Sequence, residues 1–540
     1  MAVNAYWSPL FSWLMAPTFL VVGADRRNDL VFLHTLNLLI YLFALFLFDR
    51  LVSRLAALFS WNSPSARTAY TACAYFAFYW AALEAVNVSL SSPDVLVFAL
   101  VLLLSLLLLR IRTTPVRLRT FVLLGTALGL AYLAKTAMLT IAPLYMAAAV
   151  WPLKWNRDTA KKLVCVFAPL VVVAVPWILA LRVATGYWTV GDSGKLNFAW
   201  EMCGAERWTH WQGEPGTIGQ PLHPTRKLMT APAVYEFAGP VASVSTYAPW
   251  YDPAYWYRGI KPSITAWSHE GVMNLLRNWR YLGWLILITP GILPGLLFFP
   301  RVLKGAGSDQ SRFGVLRALA IPAAALLTMY TFVFVDKRYV GGSILILALV
   351  LLAVVIPGLR SQRAINCFRI VSFTACLCSL LLPLIGELGM LSLDRIPPQR
   401  ESGDGPLAIA DDLRALGLRP GDHIAFVGLG IRAYWPAIYG LHIVSEIPVR
   451  PVRTGRRWDN QDTDDSSNVE LFWHSSQPTR DEILALLKRS GARAVVSDWV
   501  PSDAQTEGWI ELRASLLWRT GENGKDTDEV YRHRIYVRFL

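Results

Sequence analysis

Two stretches, "VLVFALVLLLSLLLL" (Val95–Leu109) and "ILILALVLLAVVIP" (Ile344–Pro357), contain no ionisable residue. A helix needs roughly 20 mostly apolar residues to cross the hydrocarbon core of a bilayer. Inside lipid only a helix or a closed barrel satisfies its own backbone. These runs are therefore expected to be membrane spans. Only 16% of the 540 residues are charged, against about 25% in soluble domains, so the polar surface of a soluble protein is lacking. Ten spans are expected, near 29–48, 67–90, 94–109, 120–135, 139–153, 163–182, 281–300, 313–335, 340–359 and 370–391. Of the six cysteines, all but Cys203 lie in apolar runs. They read as small core residues and not as a disulfide framework.

The segments between the spans alternate in charge. One set carries Arg50 and Arg54; Arg110, Arg112, Arg117 and Arg119; Lys154, Arg157, Lys161 and Lys162; Arg301, Lys304 and Arg312; and Arg360, Arg363 and Arg369. The other set comprises a short turn at Ser91–Asp94, the turn near Lys135, a long loop at about 183–280, and the turn Asp336–Tyr339. The positive-inside rule makes the first set cytoplasmic. The N-terminus, the long loop and the tail are then extracytoplasmic in a multi-pass protein of the cell membrane. The net charge of +13 belongs to the membrane orientation, and no nucleic-acid partner is expected.

Three regions follow. Residues 1–28 hold part of an outer loop and, over 10–22, a stretch too short and broken to span, expected as an interfacial helix. Residues 29–392 form the transmembrane domain with its outer loop 183–280. Residues 393–540 read as a small α/β domain: "GPLAIADDLRALGL" as a helix, "DHIAFVG" and "ARAVVSD" as strands, and "TRDEILALLKRSG" as a helix capped by Thr479 and closed at Gly491. The polar stretch 449–479 is expected as a loop.

Acids and bases from distant parts of the chain are expected to meet on one membrane face. Glu84 and Asn87 end the second span, Asp94 follows in the turn, Lys135 ends the fourth span, and Lys337, Arg338 and Tyr339 occupy a late turn. An ionisable residue at membrane depth is a functional candidate, because leaving it unpaired in lipid is unfavourable. Each also has a structural reading. In "SPD", Ser92 and Pro93 suit a helix start. Lys135 and Arg338 suit snorkelling to headgroups, and Glu84 suits an ion pair between spans. The long loop is rich in indoles. "WTHWQGEPG" and "YAPWYDPAYWYRG", with Trp250, Tyr251 and Asp252, suit either a sugar surface or a packed cap.

Metal signals are weak. Glu206 and His210 are four residues apart, with His223 further on, and zinc sites need a third well-spaced ligand. No metal site or cofactor is expected. "DTDD" (Asp462–Asp465) reads as a solvated turn, and "GLG" (Gly428–Gly430) lacks the rest of a dinucleotide fingerprint.

Four stretches resemble the GT-C membrane glycosyltransferases: "AYWSPLFSWL" (Ala5–Leu14) their first outer loop, "SSPDVLVFALVLL" the second, "LGLAYLAKTAML" (Leu128–Leu139) their Leu-Ala-x-x-(Thr/Ala)-Lys segment, and "VFVDKRYVGGSILILAL" their late Arg-Tyr turn. The branch resembled is that of protein O-mannosyltransferases and the aminoarabinose transferase of lipid A. The resemblance implies a GT-C-like fold and transfer of a sugar from a polyprenyl-phosphate donor to a lipid, glycan or protein acceptor on the outer face. It implies an acidic residue as general base, with Asp94 or Glu84 as candidates, and basic residues on the phosphate, with Lys135, Lys337 and Arg338 beside Tyr339. Tyr6, Trp7, Pro9 and Asn87, with Trp250, Tyr251 and Asp252, are the candidate substrate-loop residues. In the family a span and a catalytic aspartate precede the Trp-x-Pro-Leu stretch. Here Met1 stands five residues before Tyr6, and an N-terminally shortened chain is the expected reason. A non-catalytic assembly protein of the same fold is the alternative. A transporter is disfavoured, because transporters carry their polar groups near the midplane.

Overall fold

Apolar runs of 20 or more residues fold as helices whose outward side chains meet lipid. In the computed structural model both charge-free runs are helical. It describes residues 3–22, 29–207 (except 60, 62, 91, 152 and 154), 210–213, 218–237, 245–303 (except 264 and 266), 310–393 (except 360), 404–453 (except 434), 462–513, 516–517 and 532–540. Lys154, Trp208, Lys304 and Arg360, read above for topology or aromatic content, lie outside these. The chain divides into two compact units, one of residues 1–24, 28–204 and 262–395, the other of 25–27, 205–261 and 396–540.

The first unit is helical. Its elements are α1 (Leu10–Val22), α2 (Asp29–Ala57), α3 (Pro64–Tyr79) running into a π-helical turn (Trp80–Val86), α4 (Asp94–Thr113), α5 (Leu118–Ala134), α6 (Ala137–Val150), α7 (Arg157–Thr185), α8 (Ser193–Met202), α9 (His269–Ile288), α10 (Ile292–Leu303), α11 (Gln310–Thr331), α12 (Lys337–Gly358) and α13 (Gln362–Leu393). Among the described residues, α2, α4, α7, α11 and α12 are long and apolar enough to cross a membrane, and α9 with α10 makes a sixth if counted as one span. That pair corrects the expected straight span 281–300, since it bends by 87° at its break, where Pro290 and Gly291 interrupt the helix. α2 exposes Leu38, Leu39, Leu42, Phe43 and Phe46 together, a patch that soluble monomers rarely show and that suits contact with lipid.

Two helices are apolar all round and buried accordingly. α12 is buried along most of Val340–Ile356, and α4 along most of Asp94–Leu109. They pack on each other and on α3, the π-helical turn and α11, in a core that includes Phe48, Phe78, Leu102, Ile344 and Leu349. α5 and α7 lie closer still. A Cβ on Gly125 would sit 2.0 Å from the Val166 carbonyl oxygen, so only glycine admits this contact.

The second unit is built on a seven-stranded sheet of order β1-β2-β4-β3-β7-β11-β8. Its strands are β1 (Arg226–Thr230), β2 (Ala233–Glu236), β3 (His423–Gly428), β4 (His442–Pro448), β7 (Ala494–Ser497), β8 (Ile510–Glu511) and β11 (Tyr536–Phe539). The central β4-β3-β7 pairs are parallel, and the flanking pairs antiparallel. Two small hairpins add β5 (Arg450–Arg453) with β6 (Asp462–Asp465), and β9 (Leu516–Leu517) with β10 (Arg532–His533). Helices α14 (Asp404–Ala415), α15 (Trp435–Tyr439), α16 (Ser467–Trp473) and α17 (Gln477–Arg489) complete the unit. Phe472, Trp473, Ile483 and Leu487 pack against Val427, Ile447 and Val495 of the sheet.

Four expectations change here. The stretch 449–479 is not a loop, because it carries β5, β6 and α16. "DTDD" is correspondingly a strand, with Asp465 accepting the Ser467 amide at 3.0 Å. The cap of α17 is Ser476, which accepts from the Thr479 amide, with Pro478 in the first turn. Residues 205–261, expected within the loop of the membrane domain, supply two strands of this sheet, with Tyr235 opposite Glu446.

Candidate functional site

The polar residues that interrupt the apolar helices of the first unit converge. Asp94 opens α4 and is 3% exposed. One of its oxygens, Oδ1, accepts from Lys135 Nζ at 2.7 Å. The other accepts from the Ser92 hydroxyl at 2.9 Å and lies 3.6 Å from Arg338 Nε. Pro93 is the cap residue of α4 and Ser92 bonds the Asp94 carboxylate, so the expected serine cap is spent on the acid.

Lys135 lies where α5 ends. Its backbone is extended and its amide closes the last turn onto Ala131. Nζ stands 3.3 Å from the centre of the Tyr339 ring and 5.7 Å from that of Tyr330. The two rings stack at 5.4 Å. An ammonium over an aromatic face is attracted by the ring quadrupole, so Lys135 sits in a box of one carboxylate and two tyrosines.

Arg338 is placed by the start of α12. Asp336 caps that helix through the Arg338 amide at 3.0 Å and also accepts from Arg338 Nε at 3.1 Å. The guanidinium donates to the Tyr339 hydroxyl at 3.2 Å. Asn278 steadies the approach, donating to Thr331 O and accepting from the Val335 amide. Beside this group, Lys337 Nζ meets Glu84 at 2.6 Å, both residues well exposed. Glu84 belongs to the π-helical turn, a form frequent at functional sites. Asn87 ends that turn with φ of 57° and accepts from Ser89. Asn37 holds the following loop by donating to Val88 O and Leu90 O.

The N-terminal stretch joins the same region. Ser8 accepts from the Thr136 amide at 3.0 Å, one residue from Lys135. Tyr6 packs on Trp200 and accepts from Asn197 at 3.2 Å. Trp7 stands edge-on to Tyr6 and is exposed, and Pro9 immediately precedes α1. The Ala5 carbonyl accepts the Asp192 amide at 2.7 Å, and Asp192 itself accepts from Tyr187 and Thr189. Asp94, Lys135, Arg338, Tyr339, Glu84 and Lys337 are thus brought together, with Tyr6 nearby. Sequence reasoning missed Tyr330, Asp336, Thr136 and Asp192. Asp336 was legible as a cap beside Arg338. Tyr330, at the end of an apolar run, carried no signal.

The aromatic candidates of the long loop fall in the second unit. Asp252 is buried and caps a single helical turn through the Ala254 amide at 3.0 Å. Tyr251 lies half-buried beside it, and the Trp250 side chain lies outside the described residues. Trp256 is buried, donating to Ala248 O, and Trp211 stacks on Tyr257, so these indoles pack a folded cap. Glu206 pairs with Arg450 at 2.9 Å, while His210 Nε2 lies 3.1 Å from Glu446. Those separate partners take the pair away from any shared metal. His223 stacks flat on Tyr255 at 4.4 Å. Burial and the neighbouring Arg258 push its imidazole below the ordinary value.

Two solved structures are similar to the chain. Both are of ArnT from Cupriavidus metallidurans. The one bound to undecaprenyl phosphate matches over 99% of this chain and 88% of that chain, at 12% identity and a TM-score of 0.49. The apo structure matches over 92% and 83%, at 14% identity and a TM-score of 0.44. No family profile and no curated protein matches the chain by sequence.

Proposed function

We propose that the chain is a membrane glycosyltransferase that moves a sugar from a polyprenyl-phosphate donor to a lipid, glycan or protein acceptor on the outer face of the membrane. The observation that carries the reading is the convergence of Lys135 and Arg338 on one buried carboxylate at the ends of apolar helices. Two cations at such a depth suit a phosphate whose lipid tail lies among the same helices. As the glycosyl bond breaks, negative charge grows on the phosphate. Lys135 and Arg338 stabilise that charge, Arg338 through a planar fork that matches phosphate oxygens. Of the two candidate acids, Glu84 is exposed and within reach of an incoming hydroxyl, so it takes the role of base or of sugar ligand. Tyr6 and Trp7 offer aromatic faces to the sugar. The arginine-rich connections that alternate with this set support its extracytoplasmic side.

Sugar transfer in membranes from a polyprenyl-phosphate donor tests the reading. Lys135→Ala and Arg338→Ala should each lower turnover by about 10²–10³-fold, the usual effect of removing a group that stabilises transition-state charge. Unchanged transfer in both variants overturns the assignment.

A further inference from the structure

We propose that Asp94 is an internal stand-in for the donor's phosphate. It holds Lys135 and Arg338 in place while the site is empty, and yields them when the phosphate arrives. The inference rests on the reading of those two cations as phosphate ligands.

Both oxygens of the carboxylate are already engaged. Oδ1 takes Lys135 at 2.7 Å, Oδ2 takes the Ser92 hydroxyl at 2.9 Å, and the residue is 3% exposed. An acceptor hydroxyl approaching from solvent meets no open oxygen, so Asp94 is a positioning residue and not the base. The two cations are held unequally. Arg338 Nε is 3.6 Å from Asp94, beyond a hydrogen bond, and has a second carboxylate in Asp336 at 3.1 Å. It exchanges one anion for another at little loss. Lys135 keeps the faces of Tyr339 and Tyr330 in either state. Lys135 and Arg338 are half-buried, 21% and 32% exposed. A partly desolvated cation without a counter-ion is unfavourable, and Asp94 supplies that counter-ion until the donor does. Lys135 and Arg338 balance Asp94 and Asp336 in charge, so the empty site is neutral, and the donor anion competes with Asp94 for the same two cations.

The test is titration of the full-length protein with polyprenyl phosphate in lipid nanodiscs, beside transfer kinetics. Asp94→Asn removes the competing charge at constant size. It should bind polyprenyl phosphate about tenfold more tightly, the scale of a hydrogen bond to a charged group, with a lower donor KM and the wild-type pH profile. Ser92→Ala should act in the opposite direction. Without that hydroxyl the carboxylate pairs harder with its cations, and binding weakens by about two- to threefold. A purely structural role would weaken binding in both variants. That result, or an Asp94→Asn variant with unchanged affinity and a lost limb of the pH profile, overturns the proposal. A wild-type protein that does not bind polyprenyl phosphate at all overturns the underlying reading instead.

Discussion

Arg338 makes three different contacts with one guanidinium: the Asp336 carboxylate, the Tyr339 hydroxyl and the face of Asp94. A lysine ammonium is a point charge and cannot reproduce that fork. Arg338→Lys should therefore recover less than about a tenth of wild-type transfer, the worth of one lost charge-assisted bond, as read in the membrane assay. His223 makes a second residue-scale prediction. Its imidazole is held below the ordinary value by burial and by Arg258, so the unfolded chain binds the proton more readily than the native one. Stability is then complete above the unfolded value near 6.5 and falls as pH drops below it toward the lower native value. His223→Gln should flatten that dependence in pH-resolved thermal unfolding. The residues that meet around Asp94 were legible for a plain reason. Asp94, Lys135 and Arg338 each break an apolar run, and a charge at that depth needs a cause. Asp192 sits in a polar loop where an acid is unremarkable.

At the scale of elements, the π-helical turn Trp80–Val86 ends at Asn87 with φ of 57°. Asparagine tolerates that left-handed conformation and a β-branched residue does not. Asn87→Val should cost about 1–2 kcal/mol and displace Glu84, lowering both thermal stability and transfer, while Asn87→Gly should leave stability nearly unchanged. Against ten expected spans, five helices among the described residues, or six with the bent pair, are long and apolar enough to cross a membrane, and those were readable from composition, since hydropathy alone marks them. The break between α9 and α10 was not, because Pro290 and Gly291 lie in a segment that stays apolar on both sides. Hydropathy reports burial in lipid and is blind to direction. The strands β5 and β6 were missed for a related reason: they are short and polar, and pair only with each other.

At the scale of the molecule, the second unit is closed by a buried knot of polar groups. Glu446 on β4 accepts from the Gly430 amide and the Tyr247 hydroxyl, both at 3.0 Å, and faces His210 at 3.1 Å. A Cβ on Gly430 would come within 2.6 Å of that carboxylate. Of these four groups, His210 and Tyr247 come from 205–261, and Gly430 and Glu446 from the C-terminal part of the chain. Glu446→Leu removes the acceptor shared by the Gly430 amide and the Tyr247 hydroxyl and should cost about 1–3 kcal/mol. Limited proteolysis of the full-length protein should then open the 205–261 segment first. No local pattern announces that this segment shares a sheet with residues 200 positions away.

The pairing of β2 with β4 has an arithmetic consequence. Strands of one sheet lie on one side of a bilayer, so the chain between residues 236 and 442 crosses it an even number of times. With α11 and α12 as two crossings, the bent pair α9–α10 and the long α13 must share a fate: either both traverse the membrane or both return to the side they left. Parity, fixed by two rows of backbone hydrogen bonds, thus constrains the topology independently of any hydropathy scale or count of arginines.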